Sequence, residues 1–310
     1  MKWLIGLLVV LAGLAGAFWY FVMDGAAPAR AERVFDLAAY RALVANDAPE
    51  TLPAELRIEF VGESNAPSFA AEAGAFGGER TFSYNAFQLP APGGDIIIDG
   101  AVDRETLDEM SQGKGGFSQE AYGRVLDAMT RAQRVMITHE HLDHVMAIAR
   151  HPEPEALAPR LQLTAPQLES LPQHAHGGQL PAPIAAVTPA DFASPTRIAP
   201  GVVAVAAPGH SPGTIVIYAR TQAREYLLIG DIAWVMDSVE DARGRPRFIR
   251  WIMPMVDPDR PAVLRQLRAL HDLAAAEPEL VIVPAHDDTY LRNLVANGAL
   301  AEEFTAPPAQ

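Results

Sequence analysis

Hydrophobic positions follow different rules in different parts of the chain. From Trp3 to Met23 they run without a charge, preceded by Lys2. A helix of about 20 apolar residues crosses a bilayer, and Trp3 at one end and Phe18-Trp19-Tyr20-Phe21 at the other are residues that favour membrane boundaries. Further on, short apolar runs bounded by turn residues predict strands at Leu56–Val61, Thr81–Leu89, Asp95–Asp99, Arg134–Ile137, Val202–Ala206, Ile215–Tyr218, Tyr226–Gly230 and Leu280–Val283. Helices are expected over Ala31–Val44, Ser118–Ala132 and Asp259–Ala275. The last gathers Val263, Leu264, Leu267, Leu270 and Leu273 on one side, with His271 on or beside it. Glu63–Arg80 is rich in Gly, Ala and Ser and reads as a mobile loop. Pro152–Pro200 is too broken by proline for long elements, so short strands and helices of an outer layer are expected there.

Composition narrows the class. The chain has 310 residues, 49% of them hydrophobic, which is ample for one large α/β core. The net charge is −14 and no Lys/Arg-rich stripe is present, so a nucleic-acid partner is not expected. With no cysteine, disulfides and thiolate ligands are excluded.

The chemistry is concentrated in Thr138-His139-Glu140-His141-Leu142-Asp143-His144, which places three imidazoles and two carboxylates directly after an apolar strand. Such groups crowd together only at a cost unless something binds them. Imidazole and carboxylate suit zinc. In an extended segment alternate side chains share a face, so His139, His141 and Asp143 are expected to converge, with His144 at the start of the next helix. His210 follows in Pro208-Gly209-His210-Ser211-Pro212-Gly213. Asp231 closes the strand ending Ile229-Gly230, and His286 follows Val283-Pro284-Ala285. Each lies just past the C-terminal end of a strand, where α/β folds gather ligand-binding groups.

With these motifs in this order, the chain resembles the metallo-β-lactamase superfamily of dinuclear metallohydrolases from about Asp95 to His286. The resemblance implies a four-layer αββα sandwich. It implies a first metal site from His139, His141 and His210, a second from Asp143, His144 and His286, and Asp231 as a carboxylate bridging two zinc ions. Asp143 and Asp231 would be the catalytic carboxylates, around a hydroxide held between the metals. Asp99 matches the superfamily's Asp-x-Gly region only loosely, because Gly100 follows at once; it is a candidate for orienting a ligand histidine. His151, His174 and His176 read as surface residues.

A bridging Asp fits the lactonase, thioesterase and phosphodiesterase branches. The short segment after His286 does not fit the glutathione thioesterases. The apolar segment Trp234–Met255 suits an acyl-binding wall. The expectation is therefore a dinuclear zinc hydrolase acting on a lactone or carboxylic ester with an apolar chain, similar to the acyl-homoserine lactone lactonases. The alternatives are a β-lactamase or phosphodiesterase/sulfatase of the same fold, and, from another class, a catalytically inert membrane-tethered binding protein. One departure stands out. The lactonases carry a Tyr three residues after the bridging Asp, where this chain has Trp234; Tyr290 is a candidate substitute.

These readings divide the chain into a membrane anchor or signal at 1–23, a tether with a short helix at 24–53 and a hydrolase domain at 54–310. Ala15-Gly16-Ala17 offers a cleavage site, but the apolar run continues beyond it, which favours an uncleaved anchor. The catalytic domain is expected outside the cytoplasm, or secreted/periplasmic if the segment is cleaved.

Overall fold

The computed structural model describes residues 2–30 and 34–305. Among the described residues eleven strands form two sheets: β1 (Arg57–Pro67), β2 (Glu79–Leu89), β3 (Ile96–Ile98), β4 (Gly116–Phe117), β5 (Arg134–Met136), β6 (Thr196–Ala199), β7 (Val202–Ala206), β8 (Ile215–Arg220), β9 (Glu225–Gly230), β10 (Leu280–Pro284) and β11 (Ala301–Glu302). The first sheet runs β11-β1-β2-β3-β5, with β4 beside β1; the second runs β10-β9-β8-β7-β6. Most neighbours are antiparallel, but β1/β11, β3/β5 and β9/β10 are parallel.

Period-2 alternation sorts each strand between two cores. Ile96, Ile98, Ile215, Ile217 and Leu228 point between the sheets. Ile97 and Val135 point the other way, against helices Gln119–Arg131 and Leu142–Ala149. Val216, Leu227 and Ile229 face helices Leu37–Leu43 and Arg260–Ala276. The result is the αββα order that the family resemblance implies. Both faces of each sheet are buried, which is why these strands read as nearly continuous apolar runs.

Several expectations need correction. Glu63–Arg80 is not all loop: β1 continues to Pro67 and β2 begins at Glu79, pairing Ser64 with Phe82 and Asn65 with Thr81. The Thr81 hydroxyl also donates to Asn65 Oδ1 at 2.8 Å. Backbone pairing carries this extension, and its small polar side chains give no apolar signal. The helix expected over Ala31–Val44 is Leu37–Leu43, capped by Asp36 accepting from the Ala39 N–H; positions 31–33 lie outside the described residues. Phe35, Leu37, Tyr40 and Val44 bury against the second sheet.

The N-terminal helix Lys2–Phe18 continues through a wider turn, Trp19–Met23. It is long and apolar enough to cross a membrane by length and composition, and none of it is buried in the protein over its most apolar window. Its base is attached to the domain. Asp24 pairs with Arg247 at 2.6 Å, and the Phe248 N–H donates to Phe21 O at 3.1 Å.

One contact ties the two sheets together at the edge where the motifs gather. Buried Glu140 accepts from the Ser211 hydroxyl and from the Gly213 N–H, each at 2.9 Å. Glu140 therefore joins the two histidine loops and is not itself grouped with the histidines. A methyl group on Gly213 would lie 2.4 Å from Glu140 Oε2 and 2.8 Å from Gln167 Cγ. Gly213→Ala is expected to destabilise the fold by about 1–3 kcal/mol, read as a lower thermal midpoint. Parent-like melting would show that Glu140 is free to move aside.

Candidate metal centre

Five strand ends deliver the site. Asp99 follows β3, the His139–His144 motif follows β5, His210 sits in the β7–β8 turn, Asp231 follows β9 and His286 follows β10. All seven residues named from the motifs arrive in two groups, His139/His141/His210/Asp231 and Asp143/His144/His286, with ligand atoms in each within 4.8 Å of one another. Asp143 does not share a face with His139 and His141, as an extended segment would require. The chain turns helical at Leu142, so Asp143 swings to the second group beside His144.

Asp231 lies between the groups, and its two oxygens divide. Oδ2 is 3.4 Å from His210 Nε2 and 3.7 Å from His139 Nε2, while Oδ1 is 3.0 Å from His286 Nε2 and 3.3 Å from His144 Nε2. In the first group His141 Nδ1 is 3.0 Å from both His139 Nε2 and His210 Nε2. In the second, Asp143 Oδ2 is 3.4 Å from His286 Nε2.

The far nitrogen of most rings is held from behind, which turns the near nitrogen inward. His210 Nδ1 is 2.8 Å from Asp257 Oδ1. His286 Nδ1 donates to Ser83 O at 2.9 Å. His144 Nδ1 lies 3.1 Å from Asp99 Oδ2, and Asp99 is itself fixed by the Thr138 N–H at 2.6 Å. Asp99 thus has the orienting position expected of it. Asp257 is held by Arg245 through bonds of 2.6 and 2.9 Å, and Arg245 also donates to Asp231 O at 2.8 Å. Asp99 and Asp257 both have left-handed backbones, with φ of 64° and 52°, a conformation that Asp tolerates better than most residues.

The electrostatics pull in opposite directions. Burial, then His144, holds His139 well below the usual histidine range; burial, then His210, pushes His141 down to about 3. Burial opposes charge on His144, but Asp99, Asp231 and Asp143 outweigh it and raise its pKa. Burial would raise Asp231, but His286, His139 and His144 hold it far below the usual carboxylate range. Burial also opposes ionised Asp257, which Arg245 and His210 nevertheless bring down to about 2. Asp231 Oδ1 is buried and accepts no well-aligned hydrogen bond. Ring nitrogens aimed at one another around a buried carboxylate oxygen with an unused lone pair fit a pair of divalent cations, and an all-N/O donor set suits zinc.

A cleft of about 770 Å³ opens from Asp143 and His286, walled by Phe82, Tyr84, Trp234, Ile249, Ile252 and Met253. Tyr84 escaped the sequence reading because nothing local distinguishes it from the other aromatics of β2. Its hydroxyl meets Ser64 Oγ at 2.8 Å and its ring packs edge-on to His286. Burial and then Asp143 raise its pKa, so the phenol keeps its proton. Trp234 fills the place of the lactonase Tyr differently: Nε1 donates to Asp231 Oδ2 at 2.6 Å, and Arg245 stacks on the ring. Tyr290 is not a substitute, because its hydroxyl donates to Ile282 O inside the fold. Of the apolar segment, Trp251 and Met255 face outward and do not line the cleft.

The remaining histidines stand apart from both groups. His176 is exposed and His174 half-buried, with Nε2 3.2 Å from Glu140 O. His151 is buried, contrary to expectation. Its Nδ1 accepts from the Glu153 N–H, and its Nε2 is 3.2 Å from Leu126 O. His271 flanks its helix's apolar face, with Nδ1 3.1 Å from Val239 O.

No family model matches the chain, and no curated protein matches it. Solved structures do. A quorum-quenching N-acyl homoserine lactone lactonase superposes with a TM-score of 0.58 at 16% identity, over 80% of this chain and 96% of that one. An N-acyl homoserine lactone hydrolase with N-hexanoyl-L-homoserine at its catalytic metal centre gives 0.57 at 15% identity, over 78% and 96%. A dizinc quorum-quenching lactonase gives 0.50 at 12%, over 76% and 88%. At these identities the likeness establishes the fold: the chain is a metallo-β-lactamase-type αββα sandwich, in the form the lactonases take.

Asp257→Asn should weaken zinc binding by about 10–100-fold, measured by competition with a chromophoric chelator. Unchanged affinity would mean that Asp257 serves only to pair Arg245.

Proposed function

We propose that this chain is a dinuclear zinc hydrolase of lactones or carboxylic esters bearing an apolar chain. The observation that carries the reading is Asp231, with one carboxylate oxygen turned to each histidine group. His139, His141 and His210 would hold one ion, and Asp143, His144 and His286 the other. When bound, such ions supply Lewis acidity and bring the pKa of water down to about 7.

The chain's own residues supply the rest. Trp234 and Arg245 fix Asp231 from side chain and backbone respectively. Asp143 sits at the floor of the cleft, where a carboxylate can take up a proton and hand it to a leaving alkoxide. Tyr84 presents a neutral phenol to the same space and can donate to a carbonyl or leaving oxygen. Phe82, Ile249, Ile252 and Met253 provide an apolar wall, and methionine adapts to flexible chains. The lactonases of this fold whose products are acyl homoserines support the choice of substrate class.

The membrane reading rests on the Lys2–Met23 helix. We read it as an uncleaved anchor holding the catalytic domain outside the cytoplasm. The mass of the mature protein tests this, since cleavage after Ala17 would remove residues 1–17, most of the helix.

Protein purified without chelator should carry about two zinc equivalents and hydrolyse a lactone series with rates that rise with acyl length. Each buried methylene is worth at most about 0.8 kcal/mol, so four could raise kcat/KM roughly a hundredfold. Ile252→Ala and Met253→Ala should flatten that dependence at unchanged metal content. One equivalent that added zinc does not raise would remove the dinuclear reading. A flat series, with β-lactams or phosphodiesters turned over faster, would remove the lactonase reading.

Tyr84→Phe should lower kcat by roughly a hundredfold, as loss of one positioned donor does elsewhere, with zinc content and melting retained. Unimpaired kcat would assign Tyr84 to packing against His286.

A further inference from the structure

The apolar wall of the cleft continues onto the outer surface. Ile252 lines the cleft and is also 69% exposed; beside it Trp251 is 69% exposed and Met255 55%. Phe76, 58% exposed, lies 5.8 Å from Phe69, which is 5.7 Å from Phe248. Single exposed apolar side chains are ordinary, whereas a contiguous set of large ones marks a binding surface.

This rim joins the base of the N-terminal helix. Phe21 packs on Trp251 at 4.5 Å between ring centres, and Phe18 stacks on Phe76 at 6.1 Å. Polar contacts fix the junction: Arg247 pairs with Asp24 and lies 4.4 Å above the Tyr20 ring, and Arg243 donates to Met23 O at 2.7 Å. If Lys2–Met23 spans a bilayer, its last turns, with Trp19, Tyr20 and Phe21, lie where the span leaves the lipid. Contact with those turns puts the rim at the same boundary.

We propose that Phe76, Trp251, Ile252 and Met255 form a bilayer-docking surface. Through it the cleft draws membrane-dissolved amphiphiles, the acyl chain passing from lipid along Ile252 and Met253 toward Asp143 and His286. The occupant is lipid because a helix of membrane-spanning length is attached to the rim. With a net charge of −14, insertion of apolar side chains is the more effective attraction, and zwitterionic lipid suffices. The docking surface rests on the anchor reading, and its use in catalysis rests on the hydrolase reading.

The absence of cysteine allows a direct test in the full chain. Trp251→Cys, Phe76→Cys and Ala223→Cys would each carry a maleimide fluorophore in phosphatidylcholine vesicles containing a nitroxide-labelled lipid. Ala223 is an exposed control in the β8–β9 turn, at the opposite end of β9 from Asp231. Labels at 251 and 76 should be quenched and the label at 223 should not. In addition, Trp251→Glu and Phe76→Glu, both outside the cleft lining, should slow hydrolysis of vesicle-borne nitrophenyl dodecanoate by at least about tenfold. Soluble nitrophenyl acetate should turn over at the parent rate. Quenching at 251 and 76 in a protein that hydrolyses no ester keeps the docking surface and removes the hydrolase reading. Unquenched rim labels overturn the proposal, as does a parent-like ratio of the two substrate rates in the Glu variants.

Discussion

The structure turns on one buried carboxylate shared between two sets of imidazoles. Asp231 has no well-aligned hydrogen bond to Oδ1, and ring nitrogens approach from both sides at 3.0–3.7 Å. Uncompensated, such crowding of desolvated polar groups costs several kcal/mol. A pair of cations would convert the same geometry into a stable one. The strand ends, the left-handed aspartates and the buried Arg245–Asp257 pair all serve to hold these groups at this spacing.

That support is itself costly to build. Arg245 and Asp257 are both nearly sealed from water, and a buried ion pair persists only when its hydrogen bonds are filled. Here they are filled by His210 and the Asp231 carbonyl. Asp99 does the same for His144 while accepting from Thr138. Segments that follow different strands are thereby joined to one another through buried hydrogen bonds. The outer end of the cleft is built differently: it is apolar and partly exposed, joined to an N-terminal helix that the domain leaves unburied. Polar groups at depth and apolar surface at the rim suit a substrate with a reactive head and a hydrocarbon tail.

The sequence alone determined what depends on local order. Donor type and spacing picked out the seven residues that the fold brings together, because each follows a strand whose apolar period is plain. The αββα order came from the family resemblance that those motifs carry, while the apolar run at the N-terminus was legible directly. The tertiary structure decided whatever depends on direction in space. It turned Asp143 away from His139 and His141, to stand beside His144, because the backbone becomes helical at Leu142. It turned Tyr290 into the fold and Trp251 out of the cleft. It also brought Tyr84, Arg245 and Asp257 to the centre from positions with no motif around them. Period and residue type are recorded locally in a sequence, whereas the point at which side chains from distant segments meet is set by how the two sheets pack.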